Sequence, residues 1–239
     1  MFHSKRIAAA VLPTLALTTG AALAECPTSI ADTTDSIYVT FNDFHIRYEL
    51  LSDGTVMEEE TNFDDGSGFR VKSLRGAYVL QSWSTQNGMI VPQTGEATTW
   101  AVGPVNLPVL SAGQSWSGST VRLHDDGARA VETVTVATQA ARQTMIGTCA
   151  YESWPMVVTT SPDDGTADYI DYLTYLPSLG IAIYHGGIQE GEPFTRDEPT
   201  SISTEPPLQG ETGYLLDGAA PMPGNPTPAA PPGQPDPNK

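Results

Sequence analysis

The residues best able to do chemistry in this chain are its carboxylates, histidines, serines and two cysteines. Carboxylate pairs recur in one form, at Asp64-Asp65-Gly66, Asp125-Asp126-Gly127 and Asp163-Asp164-Gly165. Paired carboxylates can hold calcium or act as acid and base. Asp before Gly is also turn chemistry, because the Asp side chain bonds nearby backbone and Gly accepts positive φ. Each triplet falls between strand-like runs, and none has the alternating ligands and distal Glu of an EF-hand. All three are therefore read as turns, with Asn62-Phe63-Asp64-Asp65 keeping a weak calcium site as its alternative. Glu58-Glu59-Glu60 places three like charges in a strand-like run, which predicts an edge or a solvated face. His45, His124 and His185 have no metal-ligand spacing between them, so no metal centre is assigned. Ser115 lacks a glycine two residues on, Ser117 lacks one two residues before, and no helix follows, so neither sits in a nucleophile elbow. The expectation there is a turn entering a strand whose Trp116 packs inward. Phosphate-binding and dinucleotide-binding glycine patterns are absent from the sequence. No catalytic, cofactor-binding or metal residue is assigned, and no cofactor is expected.

The compartment is read from the N-terminus and the cysteines. Lys5 and Arg6 precede an apolar run from Ile7 to about Leu17, and Ala22-Leu23-Ala24 supplies small residues before Glu25. This is the pattern of a secretory signal over residues 1–24, with cleavage after Ala24. The run is too short to span a bilayer, and no later stretch is long and apolar enough. Glu25 before Cys26 argues against a lipid anchor, which needs a small residue there. The mature chain is expected to be exported and periplasmic or extracellular. In an oxidising compartment Cys26 and Cys149 are expected to pair, two separate thiols being the alternative. The chain carries 28 acidic against 11 basic residues, a formal net charge of −17. Loss of Lys5 and Arg6 with the signal moves that to −19. Such a balance excludes nucleic acid and anionic lipid surfaces as partners.

The elements that must position these residues are strands. Phe44, Ile46, Tyr48 and Leu50 alternate with His45, Arg47 and Glu49, the period of a half-buried strand. Thr55 to Thr61 reads as its return after Ser52-Asp53-Gly54. Phe69–Leu74 and Gly76–Ser84 read as two strands or one kinked strand, and Asn87-Gly88 as a hairpin turn. Thr94 to Gly113 is less regular; Pro104 and Pro108 suit a loop or an edge. Gln114–His124, Arg129–Ala140, Thr144–Glu152, Trp154–Thr160, Ala167–Leu176 and Gly180–Ile188 follow as strands. Recurrent short strands with turn residues between them predict a mostly β fold, a single-domain antiparallel meander forming an open half-barrel or sandwich over residues 25–199. Residues 206 to 237 hold ten of the chain's 20 prolines. Residues 200–239 are read as a disordered Pro/Gly/Ala-rich tail.

Along Tyr169 to Leu176 both faces are apolar or aromatic, which fits a central strand covered on both sides or a concave face lining a cavity. Concave sheets bind apolar ligands through aromatic side chains. Trp116, Trp154, Tyr169, Tyr172 and Tyr175 are the candidate ligand-lining residues, with core packing as the competing role. Around Tyr172-Leu173-Thr174-Tyr175-Leu176-Pro177-Ser178-Leu179-Gly180-Ile181 the chain resembles exported bacterial β-proteins related to the periplasmic lipoprotein-carrier half-barrels. The resemblance extends over Gln114 to His185 and implies a half-barrel in the bacterial envelope. The expectation is a non-enzymatic periplasmic protein that binds an apolar ligand or an envelope protein on a concave aromatic sheet. A hydrolase with a His/Asp site and a purely structural envelope-assembly module are the alternatives.

Overall fold

The computed structural model describes residues 26–31, 36–189, 194 and 196–207; the signal-type segment and the proline-rich stretch from residue 208 lie outside the described residues. Among the described residues, fourteen strands make up the fold. The first seven are β1 (Ile37–Thr40), β2 (Phe44–Leu50), β3 (Thr55–Asn62), β4 (Ser67–Leu74), β5 (Tyr78–Gln86), β6 (Met89–Ile90) and β7 (Glu96–Trp100). The rest are β8 (Ser115–His124), β9 (Arg129–Thr138), β10 (Arg142–Ile146), β11 (Cys149–Pro162), β12 (Tyr169–Leu176), β13 (Ile181–Gln189) and β14 (Ser201–Ser203). They form one open antiparallel sheet in which chain neighbours are mostly sheet neighbours, as expected of a meander. β14 returns to pair with β1, and β6 is a short partner of β5.

Turn chemistry sets the register. Asn87 and Gly88 both adopt positive φ, 51° and 72°, and connect Gln86 directly to Met89. The three Asp-Asp-Gly triplets are turns of one design. The second Asp of each accepts a backbone N–H two residues on: Asp65 from Ser67 at 2.8 Å, Asp126 from Ala128 at 2.8 Å, Asp164 from Thr166 at 2.9 Å.

The sheet rolls until its two ends face one another. Tyr48 of β2 is fully buried and donates its hydroxyl to the Ala182 carbonyl of β13 at 3.1 Å. Gly76, in the β4–β5 turn with φ of 66°, lies against β13; a Cβ there would fall 2.8 Å from the Gly180 carbonyl. The returning chain stitches the seam, with Asp197 N donating to His185 O and Thr200 N to Thr40 O. One apolar core fills the overlap, where Ile37, Val39 and Ile46 meet Ile181 and Ile183. Cys26 is disulfide-bonded to Cys149, and Tyr151 donates to Pro27 O at 3.0 Å, so the N-terminal segment is pinned to this core. A second core, with Tyr78, Trp100, Val136 and Met156, fills one end of the roll's interior. The loop after β7 covers that end: Leu107 joins this core, Arg75 donates to Leu107 O and Tyr78 to Pro108 O.

Three expectations are corrected. β3 is not an edge, for it lies between β2 and β4. Period two splits its acidic triplet: Glu59 points outward to Arg70 at 2.8 Å and Arg47 at 3.4 Å, while Glu58 and Glu60 face the interior. The loop expected from Pro104 and Pro108 is present after β7, which itself lies mid-sheet between β5 and β8. Thr144–Glu152 is broken by a hairpin in which Ile146 faces Cys149 and Gly147 has φ of 57°. β11 then runs through Pro155 unbroken. A residue's N–H and C=O leave a strand on the same side, and Pro155 accepts from Gln139 N in the gap between β9 and β10. Its missing N–H thus faces a break in the ladder. The sheet also continues past Pro199, through β14 to Ser203.

Candidate functional site

The rolled sheet encloses a cavity of about 450 Å³. Its depth follows the strand alternation. Going inward, β12 contributes Tyr169, Asp171 and Leu173, β3 contributes Glu60 and Glu58, and β7 contributes Glu96, Thr98 and Trp100. The floor is apolar, built by Trp100, Val134, Val158 and Leu173. Beneath it Tyr78 presents its ring edge-on to Trp100 and to Trp116, with centroids 5.5 and 5.8 Å apart. Gly118 is required two residues after Trp116, because the indole lies over it and a Cβ would overlap the ring.

The walls are polar and unequal. On one side Arg122 of β8 bonds Glu132 of β9 at 2.6 Å and Glu96 of β7 at 3.4 Å, and Glu96 also reaches His124 at 3.0 Å. Burial opposes the Arg122 charge, but the bonds to Glu132 and Glu96 outweigh it and hold the guanidinium pKa above its ordinary value. On the other side stand Glu58, Glu60 and Asp171, none of which has an ion pair among the described residues. Glu58 accepts from the Ser73 hydroxyl at 3.1 Å. What surface it keeps opens on the cavity, and burial pushes its carboxyl up to about 8. Burial, with the nearby Asp197 charge, also raises Glu60. Asp171 is pushed to about 6 by burial, against a hydrogen bond from Tyr169 and the charge of Arg122. Tyr184 faces these carboxylates with its hydroxyl 3.4 Å from that of Tyr169; burial first, then Tyr169 and the nearby carboxylates, hold its pKa far above the ordinary phenol value.

Of the five aromatic residues expected to line a ligand site, Tyr169 lines the cavity. Trp116, Trp154 and Tyr175 lie in or against the core beneath the floor, Trp154 and Tyr175 with ring centroids 5.3 Å apart. Tyr172 lies on the opposite face of β12, its ring 4.5 Å from Phe194. Trp100, not among those candidates, lines the floor. The histidines have separate partners. His45 stacks on Phe63 at 5.5 Å, His124 binds Glu96, and His185 is buried between Asp197 O and Thr174 Oγ1 at 2.7 and 2.8 Å. Ser117 points outward, its hydroxyl 2.7 Å from that of Thr135.

Sequence reasoning passed over the whole polar wall. The available signal was parity: Val56, Glu58 and Glu60 share a face with Tyr48 and Ile46 across the β2–β3 ladder. Residues opposite inward apolar side chains point inward themselves. The arrangement provides an apolar slot for a chain or ring, with acceptors on one wall that lack a cation. No protein-family model matches this chain, and neither a curated protein nor a solved structure matches it.

Proposed function

We propose that this is an exported binding protein that takes a small, largely apolar ligand into the cavity of the rolled sheet. The cavity itself carries the reading. Its volume of about 450 Å³ lies within the usual size of small-ligand sites, and an apolar floor with a few convergent polar groups is how such sites are built. Export is supported by the signal-type N-terminus and by the Cys26–Cys149 bridge, a bond favoured in oxidising compartments. Native mass spectrometry of the full chain, purified from its own host without detergent, tests this. A reproducible mass adduct that is lost on denaturation is the expected result. Overturning it takes an empty protein together with no change in tryptophan fluorescence on titration with alkyl and aromatic probes, since Trp100 forms the floor.

A further inference from the structure

We propose that the ligand is an amphiphile with a cationic, hydrogen-bond-donating head, of which a primary alkylammonium is the simplest example: its head sits against Glu58, Glu60 and Asp171, and its tail lies over the Trp100 floor. This rests on the cavity being a binding site and names the chemistry it selects.

Charge around the cavity is unbalanced. Five carboxylates and one guanidinium line it. Arg122 is already committed to Glu96 and Glu132. The three carboxyls of the opposite wall therefore face the space with no cation among the described residues. Glu58 is the most telling. It is enclosed by protein except toward the cavity, one carboxyl oxygen meets only the Ser73 hydroxyl, and the other has no described partner. Glu58 is half-buried and its free acceptor opens on the cavity, where a donor entering with the ligand can meet it. Once its five carboxyls are ionised, the cavity would present an anionic head with an excess of four negative charges, and a neutral hydroxyl would satisfy one acceptor without offsetting charge. An ammonium supplies three donors and the missing charge together.

Proton linkage follows. With the cavity empty, burial holds protons on Glu58, Glu60 and Asp171 beyond the ordinary carboxylate range. A bound cation stabilises the ionised forms, so its binding must release protons. The other ionisable groups facing them are Tyr169, Tyr184, Tyr48 and Asp197. Burial raises the Tyr48 and Tyr184 phenols, which stay neutral in the working range, and Asp197 adds negative charge.

The test uses the full exported chain with its disulfide intact and three probes of equal tail length: decylammonium, decanol and decanoate. Titration calorimetry above pH 8, where Glu58 ionises, should place decylammonium first, by at least about tenfold over decanol, the worth of roughly one pKa unit of charge interaction. In weakly buffered solution near neutrality, decylammonium should release protons and decanol should not. The Glu58→Gln variant, similar in shape and still able to bond Ser73, should narrow the decylammonium-to-decanol ratio several-fold. Equal or tighter binding of decanol or decanoate overturns the choice of head group and leaves the cavity reading standing. If none of the three binds, the cavity reading falls as well. An unchanged ratio in Glu58→Gln, with that variant folded by circular dichroism, removes Glu58 from the site.

Discussion

Replacing Glu58 by Gln should stabilise the protein, by an amount that grows with pH. The ordinary value for this carboxyl is 4.5, and burial among Tyr48, Val71 and the cavity wall moves it to about 8 in the folded state. Below pH 4.5 both states are protonated and the group has no effect. Between 4.5 and 8 the unfolded chain gives up the proton while the folded chain keeps it, so stability falls as pH rises. Above 8 the penalty is constant. A shift of this size is worth about 4–5 kcal/mol at most, at 1.36 kcal/mol per unit. Water entering the cavity screens the charge, so about 2–4 kcal/mol is the working expectation. Glu60 and Asp171 shift in the same direction, while burial lowers His45 and His185 and so adds an opposite slope below about pH 6.5, equally in both proteins. The difference between them isolates Glu58. Urea unfolding followed by tryptophan fluorescence, repeated from about pH 5 to 8.5, should give Glu58→Gln a flatter profile that meets the wild type at the acid end and lies above it at the alkaline end. Parallel profiles would refute the placement of Glu58 inside the roll.

Three further perturbations probe the frame. Gly76→Ala forces a side chain into a positive-φ position and against the Gly180 carbonyl, so it should cost about 2–3 kcal/mol in urea unfolding, well beyond the cost of a strained backbone alone. Arg122→Met strands Glu132, whose side chain is 7% exposed, without its cation; it should cost about 2–4 kcal/mol, and adding Glu132→Gln should restore most of that in a double-mutant cycle. Changing both cysteines to serine removes a cross-link across 123 residues; the chain-entropy model puts the loss at about 5 kcal/mol, read as a lower thermal midpoint that the wild type reproduces under reductant.

The fold was legible because its signals are local. Alternation from Ile37 to Leu50, Asn87-Gly88 and the Asp-Gly turns each specify a strand or a hairpin from a few adjacent residues. Boundaries failed where the deciding fact was long-range. Thr144–Glu152 and Trp154–Thr160 read as separate strands until Ile146 is seen paired with Cys149 and β11 to run on through Pro155. Thr94 to Gly113 read as less regular, yet its first part, β7, pairs with β5 on one side and β8 on the other. An open half-barrel was expected, but which parts of the sheet would meet was not legible. It depends on Gly76 and Tyr48 meeting Gly180 and Ala182, contacts between opposite ends of the sheet that no local pattern encodes.

The site was missed through a rule that is sound on average. Adjacent like charges do mark solvated faces, and a strand with Glu at three successive positions reads as an edge. A strand, however, cannot expose successive residues to the same side. In β3 the middle Glu59 does what the rule expects, sharing Arg47 and Arg70 on the outer surface. Its neighbours must then point the other way, into whatever the sheet encloses, and only an enclosed space with something to offer them makes that tolerable. The aromatic residues misled in the opposite sense. Trp116, Trp154 and Tyr175 face the interior as a ligand site would require, but they lie in or against the core beneath the floor. Large side chains at that end, covered by the loop after β7, let the roll stop short of filling itself. The aromatic layer thus sets the depth of the cavity and the acidic wall sets its chemistry. Substitutions in the first should change which tail length binds best, and substitutions in the second should change which head.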